Sequence, residues 1–191
     1  LREINITPHT ILLEPLSKNT APAIAIAALS SLSEDDDPIL LILPSDHQIR
    51  NNEEFLLCIK NAKQFANEGK IITFGVKPTN PSTGYGYIKT NKEFHNRELK
   101  PHKIESFLEK PERYLAEKFY KDDCFSWNSG IFMARASVLV QELENFSTEI
   151  ILNCRESLKN KIDDLDFLRI ESNSFAKCPN ISLDNAVMEK T

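Results

Sequence analysis

The stretch that decides the fold is Ile39-Leu40-Leu41-Ile42-Leu43, a run of five apolar residues between Pro38 and Pro44. A continuous apolar run of this length, closed by a proline at each end, predicts a strand buried on both faces of a parallel sheet. Polar residues follow it at once as Ser45-Asp46-His47. Because ligands bind beyond the carboxyl ends of strands in open α/β sheets, this turn is a candidate part of a functional site.

The segments around this strand extend it into an alternating pattern. Strands are predicted at Ile11–Glu14 and at 71–76, where short apolar runs end at loop residues. Helices are predicted at 23–32, capped by Thr20, and at 52–66. Strand, helix, strand, helix, strand in this order predicts an α/β fold with a parallel sheet and helices on both of its faces.

The second half of the chain is less regular. It predicts strands at 87–89 and 103–108, then a helix from Pro111 to Tyr120 and a strand at 125–134 that is interrupted by Asn128-Ser129-Gly130. Helices are predicted at 137–146, 148–159 and 163–170, and Ser182 is placed to cap a final helix.

Composition narrows the function classes. The chain has 191 residues and a formal charge of −5, from 23 Lys and Arg against 28 Asp and Glu. This balance disfavours a nucleic-acid-binding protein, which needs a basic face, and no apolar run approaches the ~20 residues of a membrane span. The scattered cysteines favour reduced thiols in a cytoplasmic protein over a zinc site or a disulfide framework. The length suits a single domain over residues 1–191.

Two acidic positions are candidate metal ligands. Asp46 directly follows the buried strand, and a carboxylate there can hold Mg²⁺, which takes one or two carboxylates together with water and phosphate oxygens. Asp184 is the second candidate, although sequence spacing alone does not bring the two together. The alternative for Asp46 is an ordinary loop or helix-capping aspartate.

Three other motifs carry groups suited to a phosphorylated sugar. Glu109-Lys110 follows a predicted strand, so its carboxylate can accept from hydroxyls and its ammonium can meet a phosphate; a solvated ion pair is the alternative. Residues 83–87, Thr-Gly-Tyr-Gly-Tyr, let the backbone approach a ligand, or form an ordinary turn. Trp127-Asn128-Ser129-Gly130 offers an amide and a hydroxyl, or forms a β-bulge. The four histidines show no metal-ligand spacing.

Six segments together resemble the sugar-1-phosphate nucleotidyltransferases, and within them the mannose-1-phosphate guanylyltransferases, above all the bifunctional bacterial form with an isomerase domain. Each segment is weak alone, but all six occur in the family's order along nearly the whole chain. They are residues 14–24, 43–49, 74–79 with 83–88, 107–111, 127–132 and 182–190.

The resemblance implies a Rossmann-like three-layer α/β/α nucleotidyltransferase fold with a mostly parallel central sheet. It also implies a reaction in which GTP and α-D-mannose 1-phosphate give GDP-mannose and pyrophosphate. By similarity, Asp46 and Asp184 would hold Mg²⁺, and Lys110 would act with them as a catalytic residue. The implied sugar site comprises Tyr85, Gly86, Glu109, Lys110, Asn128 and Gly130; the implied nucleotide site comprises Glu14, Pro15, Asn19, Thr20, Ala21 and Ser45. A carboxylate can accept from guanine N1–H and N2–H₂ together, so Glu14 is the candidate for base selection.

The sequence departs from the family pattern at both ends. Family members begin with a strand and a Gly-rich loop that wraps the triphosphate, whereas this sequence starts beyond them and has only five glycines. It also stops just after the motif of Asp184, before the rest of the family's transferase domain and any isomerase domain. We therefore expect an incomplete domain that is impaired alone, with a separate chain as a candidate source of the loop. The alternatives are a non-catalytic nucleotide-sugar-binding or regulatory module, and a transferase for another sugar 1-phosphate or nucleotide.

Overall fold

A computed structural model describes residues 5–33, 36–93 and 101–191. The described residues form eight strands, five α-helices and one π-helical turn, which we call the C-terminal turn. In chain order these are β1 (Ile11–Leu13), α1 (Thr20–Ser31), β2 (Ile39–Ile42), α2 (Asn52–Asn67), β3 (Ile72–Val76), β4 (Tyr87–Thr90), β5 (Ile104–Leu108), α3 (Arg113–Tyr120), β6 (Phe125–Arg135), α4 (Ala136–Lys159), β7 (Ile162–Asp164), β8 (Phe167–Arg169), α5 (Ser172–Phe175) and the C-terminal turn (Asp184–Met188).

The long strand β6 organises the larger sheet. It pairs with β3 along one side and with β2 and β4 along the other, and β5 extends the sheet beyond β4. All of these described ladders are antiparallel, which corrects the expectation of a mostly parallel central sheet. Strands β2 and β3 do run in the same direction, but β6 lies between them and runs the opposite way. Strand β6, which begins about 50 residues after β3 ends, therefore fills the position next to β2 that a simple alternation of strands and helices would give to a parallel strand.

Strand β2 is covered by helices on both faces. Leu40 and Ile42 pack against the main core between the sheet and helices α1 and α4, whereas Ile39 and Leu41 pack against a smaller core under α2. The main core contains fully buried side chains of α4 such as Leu143, and each such burial contributes about 1.5–3 kcal/mol. The prediction of a doubly covered strand in a three-layer α/β fold is thus confirmed.

A second, smaller sheet replaces one predicted helix. Residues 163–170, predicted as helical, instead lie in the antiparallel pair β7 and β8, with Leu165 at φ +55° in the connecting turn. Leu168 and Ile170 are buried while Phe167 and Arg169 are exposed, which is the two-residue period of a strand. Strand β8 pairs in parallel with β1, so β1 belongs to this small sheet and not to the one that contains β2.

Two helix features differ from the sequence prediction and one is confirmed. Asn19, not Thr20, caps α1, because its side chain accepts from the Thr20 N–H at 2.8 Å. The helices predicted at 137–146 and 148–159 are confirmed as the two parts of α4, which meet at a kink where Ser147 has non-helical backbone angles. The final helix is the π-helical C-terminal turn, and Ser182 Oγ accepts from the Asn185 N–H at 3.3 Å just before it.

Asp37 fixes the start of α4 from a distant part of the chain. Its carboxylate accepts from the Ser137 N–H at 2.9 Å and from Ser137 Oγ at 2.7 Å, and Arg135 lies 3.6 Å away. Burial raises the pKa of Asp37, but the bonds from Ser137 and the charge of Arg135 outweigh it and hold the pKa below its ordinary value.

We expect Asp37→Asn to lower the free energy of unfolding by about 1 kcal/mol at pH 7, since it weakens a helix cap made by a charged group. A lowered native pKa means that this contribution is present above the unfolded pKa and is lost as the pH falls through the native value. Urea unfolding between pH 7 and pH 3 measures the difference, with the exposed Asp36→Asn as control. A deficit that does not shrink with falling pH would show that the charge is not what matters.

Candidate active site

Asn128 joins three segments that are far apart in the chain. Its Nδ2 donates to Asp184 Oδ1 at 2.7 Å, and its backbone N–H donates to the Gly86 carbonyl at 2.8 Å. Its Oδ1 accepts from the Gly130 N–H at 3.1 Å and from Thr73 Oγ1 at 2.9 Å. Because two donors face Oδ1, the NH₂ group must face Asp184, so the orientation of the amide is fixed by its partners.

A β-bulge sets the direction of Asn128. Gly130 has φ +70°, and the pairing of β3 with β6 shifts register between Thr73 and Gly75, opposite this segment. The alternative that the sequence left open, a bulge, is therefore what the backbone forms. Bulges re-aim side chains next to functional sites, and this one directs the Asn128 amide toward the C-terminal turn.

Glu109 and Lys110 lie at the end of β5, on the other side of Gly86. The Glu109 side chain is 17% exposed and lies 3.6 Å from Lys110 Nζ, whose own side chain is 65% exposed. A Cβ built on Gly86 would lie 2.5 Å from Glu109 Oε2 and 3.4 Å from the Asn128 Cβ. The absence of a side chain at Gly86 thus lets Glu109 and Asn128 converge.

The site has an excess of negative charge. Burial raises the pKa of Asp184, with a further contribution from the charge of Glu189. Burial also raises the pKa of Glu109, and the charge of Asp184 adds to it, while Lys110 lowers it. Three carboxyl groups therefore influence one another, with Lys110 as the cation that acts on both Glu109 and Asp184. Such an arrangement favours binding of a further cation.

The N-terminus of α1 is bonded to the segment that leads into the C-terminal turn. Thr20 Oγ1 accepts from the Leu183 N–H at 2.9 Å, and the Ala21 N–H donates to the Ile181 carbonyl at 3.2 Å. The structure thus brings the predicted nucleotide-binding stretch next to Asp184. Ala21 is fully buried, so it supports this stretch from beneath, while Asn19 and Thr20 are exposed.

Glu14 and Pro15 lie at the start of the same stretch, and both are exposed. Burial raises the pKa of Glu14. Lys18 Nζ donates to the Ala176 carbonyl at 2.6 Å, which ties the stretch to the residues after α5. The chain from Glu14 to Thr20 is therefore an exposed loop fixed at both of its ends, with a partly desolvated carboxyl at its start.

Ser45 and Asp46 lie on the exposed turn that follows β2. A Cβ built on Gly130 would lie 3.7 Å from Pro44 Cγ, so this turn packs next to the bulge that carries Asn128. Asp46 makes no hydrogen bond or ion pair with another described residue. The turn that carries Asp46 and the C-terminal turn that begins at Asp184 thus each lie beside the bulge of β6.

Sequence reasoning missed three residues of this site. Thr73 orients the Asn128 amide, and Glu189 bonds to the Glu109 backbone at 2.9 Å. Trp127 lies under the half-exposed Tyr85, with ring centroids 4.9 Å apart. Trp127 and Glu189 lie inside segments 127–132 and 182–190 of the family resemblance, so these motifs could have indicated them. No motif in the sequence indicates Thr73.

Comparison with known proteins assigns the chain to a family. A family model described as "Nucleotidyl transferase" matches residues 2–173. The chain belongs to the nucleotidyl transferase family. Its relatives include a putative mannose-1-phosphate guanylyltransferase of Vibrio cholerae, 44% identical over 95% of this chain and 38% of the relative. A mannose-1-phosphate guanylyltransferase of Salmonella muenchen is 44% identical over 100% of this chain and 40% of the relative.

A solved structure shares the fold of this chain. The crystal structure of mannose-6-phosphate isomerase from Helicobacter pylori aligns with a TM-score of 0.84 and 33% identity, over 94% of this chain and 68% of that chain. The chain spans about 40% of the length of the two curated relatives. None of the described helices is long and apolar enough to cross a membrane. The comparisons give no support to a separate chain that supplies a Gly-rich loop.

Proposed function

We propose that this nucleotidyl transferase chain carries the substrate site of a mannose-1-phosphate guanylyltransferase, which converts GTP and α-D-mannose 1-phosphate into GDP-mannose and pyrophosphate. The observation that carries the proposal is the convergence of Asp184, Asn128, Gly86 and Glu109 from four segments. The names of the curated relatives suggest the substrate pair. The geometry of the site supports it, because polar and charged groups are available for both the sugar phosphate and the nucleotide.

The sugar end of the site lies between β5 and the bulge of β6. Glu109, Asn128 and the Gly86 backbone offer acceptors and donors to the mannose hydroxyls. Lys110 supplies a cation to the site, and its exposed ammonium can reach the sugar phosphate. Tyr85, whose ring is tilted by 52° against the Trp127 ring, and Gly130 complete the wall.

The reaction needs alignment more than it needs a base. A phosphate oxygen of mannose 1-phosphate is already ionised at neutral pH and attacks the α-phosphorus of GTP. The new P–O bond forms as the bond to pyrophosphate breaks, in line with it. Holding both reactants in this geometry supplies much of the rate enhancement. Lys110 neutralises charge on the transferred groups.

The nucleotide end lies at the loop from Glu14 to Thr20, with Ser45 on the turn after β2. Glu14 is the proposed partner of guanine, because one carboxylate can accept both N1–H and N2–H₂. The bonds from α1 to residues 181–183 hold the end of this loop next to Asp184, the position that we propose for the triphosphate.

Mg²⁺ fits the donor set, with Asp46 and Asp184 as the residues that would hold it. The described residues contain no group of three or more metal-binding side chains. Mg²⁺ takes one or two carboxylates and fills its other positions with phosphate oxygens and water, so two aspartates suffice. The excess negative charge around Asp184 supports this assignment. When bound, the ion would neutralise phosphate charge during the transfer. We place the protein in the cytoplasm, where its four free thiols stay reduced.

We expect the 191-residue chain to bind GDP-mannose at least about tenfold more tightly in Mg²⁺ than in EDTA, because Asp46 and Asp184 would hold the ion and the ion would neutralise the phosphates of the ligand. Asp184→Asn, which keeps the shape and the Asn128 bond, should remove most of that gain. Isothermal titration calorimetry measures it, with Asp163→Asn on the exposed strand β7 as the matched control.

Pyrophosphate release from GTP plus mannose 1-phosphate, followed in the same samples, separates the candidates. Binding with release supports the guanylyltransferase, and binding without release identifies a nucleotide-sugar-binding module. Tighter binding of UDP-glucose than of GDP-mannose would contradict the proposed substrate pair.

A further inference from the structure

Glu189 contacts both halves of the candidate site. Its Oε1 accepts from the Glu109 N–H at 2.9 Å, on the sugar side. Its Oε2 accepts from Asn185 Nδ2 at 3.1 Å, and its own N–H donates to the Asp184 carbonyl at 3.0 Å, on the phosphate side. A single residue at the end of the C-terminal turn thus spans from β5 to Asp184.

These contacts close a ring around the site. From Glu189 the ring passes to the Glu109 backbone, then through the close approach of the Glu109 carboxylate to Gly86. From Gly86 it continues through its carbonyl to Asn128, and through the Asn128 amide back to Asp184. Beside this ring, the backbone ladders that pair Tyr87 with Leu108 and with Trp127 join the same strands.

The Glu109 N–H is the link that positions the sugar-phosphate residues. Lys110, the next residue, has φ +45°, so the chain turns sharply just after this peptide group. The direction in which the side chains of Glu109 and Lys110 project therefore depends on how the peptide is held. Within the described residues, the Glu189 carboxylate is what holds it.

The effect of Glu189 on ligand geometry is expected to be larger than its effect on folding stability. Glu189 is exposed, and hydrogen bonds of exposed charged groups contribute little to folding stability. A displacement of about 1 Å at a reacting group, by contrast, can cost a factor of about 10² in function. Loss of the Glu189 carboxylate is therefore expected to affect ligand geometry far more than stability.

We infer that Glu189 is a positioning residue that sets the distance between the sugar-phosphate side, Glu109 and Lys110, and the Asp184 side of the site. This inference rests on the proposed function, because it assigns the two sides to the two substrates. The expected effect has a direction: mannose 1-phosphate binding depends on the bond from the Glu109 N–H to Glu189, and binding of GTP alone does not.

The test uses the full chain with Glu189→Ala and Glu189→Gln. We expect Glu189→Ala to bind mannose 1-phosphate about tenfold more weakly than Glu189→Gln and to bind GTP within about twofold of it, both measured by calorimetry, because both variants lose the same charge next to Asp184. Glu189→Gln keeps an oxygen for the Glu109 N–H and should recover most of the lost affinity. Glu142→Ala, which removes a partly buried carboxylate that accepts from Thr191 Oγ1, is the control.

A ligand-free readout keeps the inference separate from the proposed function. Amide hydrogen exchange at Glu109, followed by NMR, should accelerate in Glu189→Ala and stay protected in Glu189→Gln. If wild-type protein binds neither substrate, the proposed function fails, and with it the assignment of substrates to the two sides. Unchanged exchange at Glu109, equal loss of both ligands in Glu189→Ala, or no recovery in Glu189→Gln would overturn the positioning role.

Discussion

Gly86→Ala is expected to weaken mannose 1-phosphate binding by more than about tenfold while the free energy of unfolding stays within about 1 kcal/mol of wild type. The added methyl group would lie 2.5 Å from Glu109 Oε2. That oxygen is the far end of a flexible side chain, so the protein relieves the overlap by rotating Glu109 and not by moving its backbone. The carboxylate that we assign to the sugar hydroxyls is then displaced, and the fold is not.

Calorimetry with mannose 1-phosphate and urea unfolding on the same samples measure both quantities. Gly84→Ala is the matched control, since it lies in the same loop and its Cβ would meet only Ser82 Oγ, at an ordinary 3.6 Å. Retained affinity in Gly86→Ala would show that Glu109 does not touch the sugar. A large loss of stability would show that the Phe107 ring, whose Cζ lies 3.3 Å from the built Cβ, cannot adjust.

The second large effect is expected for Asn128→Asp, which replaces the donor to Asp184 by a like charge. We expect a loss of about 2–3 kcal/mol in the free energy of unfolding at pH 7.5, because a desolvated carboxylate loses its hydrogen bond and faces another carboxylate at about the 2.7 Å separation of the native pair. Sugar-phosphate binding should be lost together with it.

The loss of stability in Asn128→Asp is expected to depend on pH. Repulsion raises the native pKa of the pair above the unfolded value, so the folded variant binds more protons than the unfolded chain. Its stability therefore falls as the pH rises from the unfolded pKa through the raised native pKa, and the deficit is smaller at pH 5 than at pH 7.5. Urea unfolding at the two pH values measures it.

Thr73→Val is the control for Asn128→Asp. It removes the hydroxyl that donates to Asn128 Oδ1 and introduces no charge. We expect a loss of about 1 kcal/mol that is the same at both pH values. A pH-independent deficit in Asn128→Asp itself would mean that Asp184 moves away from the new carboxylate and that the pair seen in the structure is not rigid.

The fold was predictable where the signal is local. The apolar run of β2 gave both its position and its coverage on two faces, and the loop residues bounded α2 correctly. The direction of its neighbour was not predictable, because β6 pairs with β2 across about 90 residues. The helix at 163–170 was wrong although Leu168 and Ile170 alternate with Phe167 and Arg169, a pattern that favours a strand.

The site was predictable only as a set of motifs. Resemblance supplied Glu109, Asn128 and Asp184, and the structure adds how Asn128 joins its neighbours. The sequence assigned no role to Glu189, although it lies inside segment 182–190 of the family resemblance. Its bond to the Glu109 backbone joins residues 80 positions apart, and no local pattern indicates such a bond. The roles of Asp46 in metal binding and of Glu14 in base selection stay predictions.

The π-helical form of the C-terminal turn has a consequence for which side chains face the site. In an α-helix each residue turns by roughly 100°, so residues five apart point about 140° away from each other. Here the Glu189 N–H bonds to the Asp184 carbonyl, five residues back, which widens the turn and stacks the two residues one above the other. The wider turn thereby gives two acidic residues a common orientation that an ordinary helix of the same sequence would deny them.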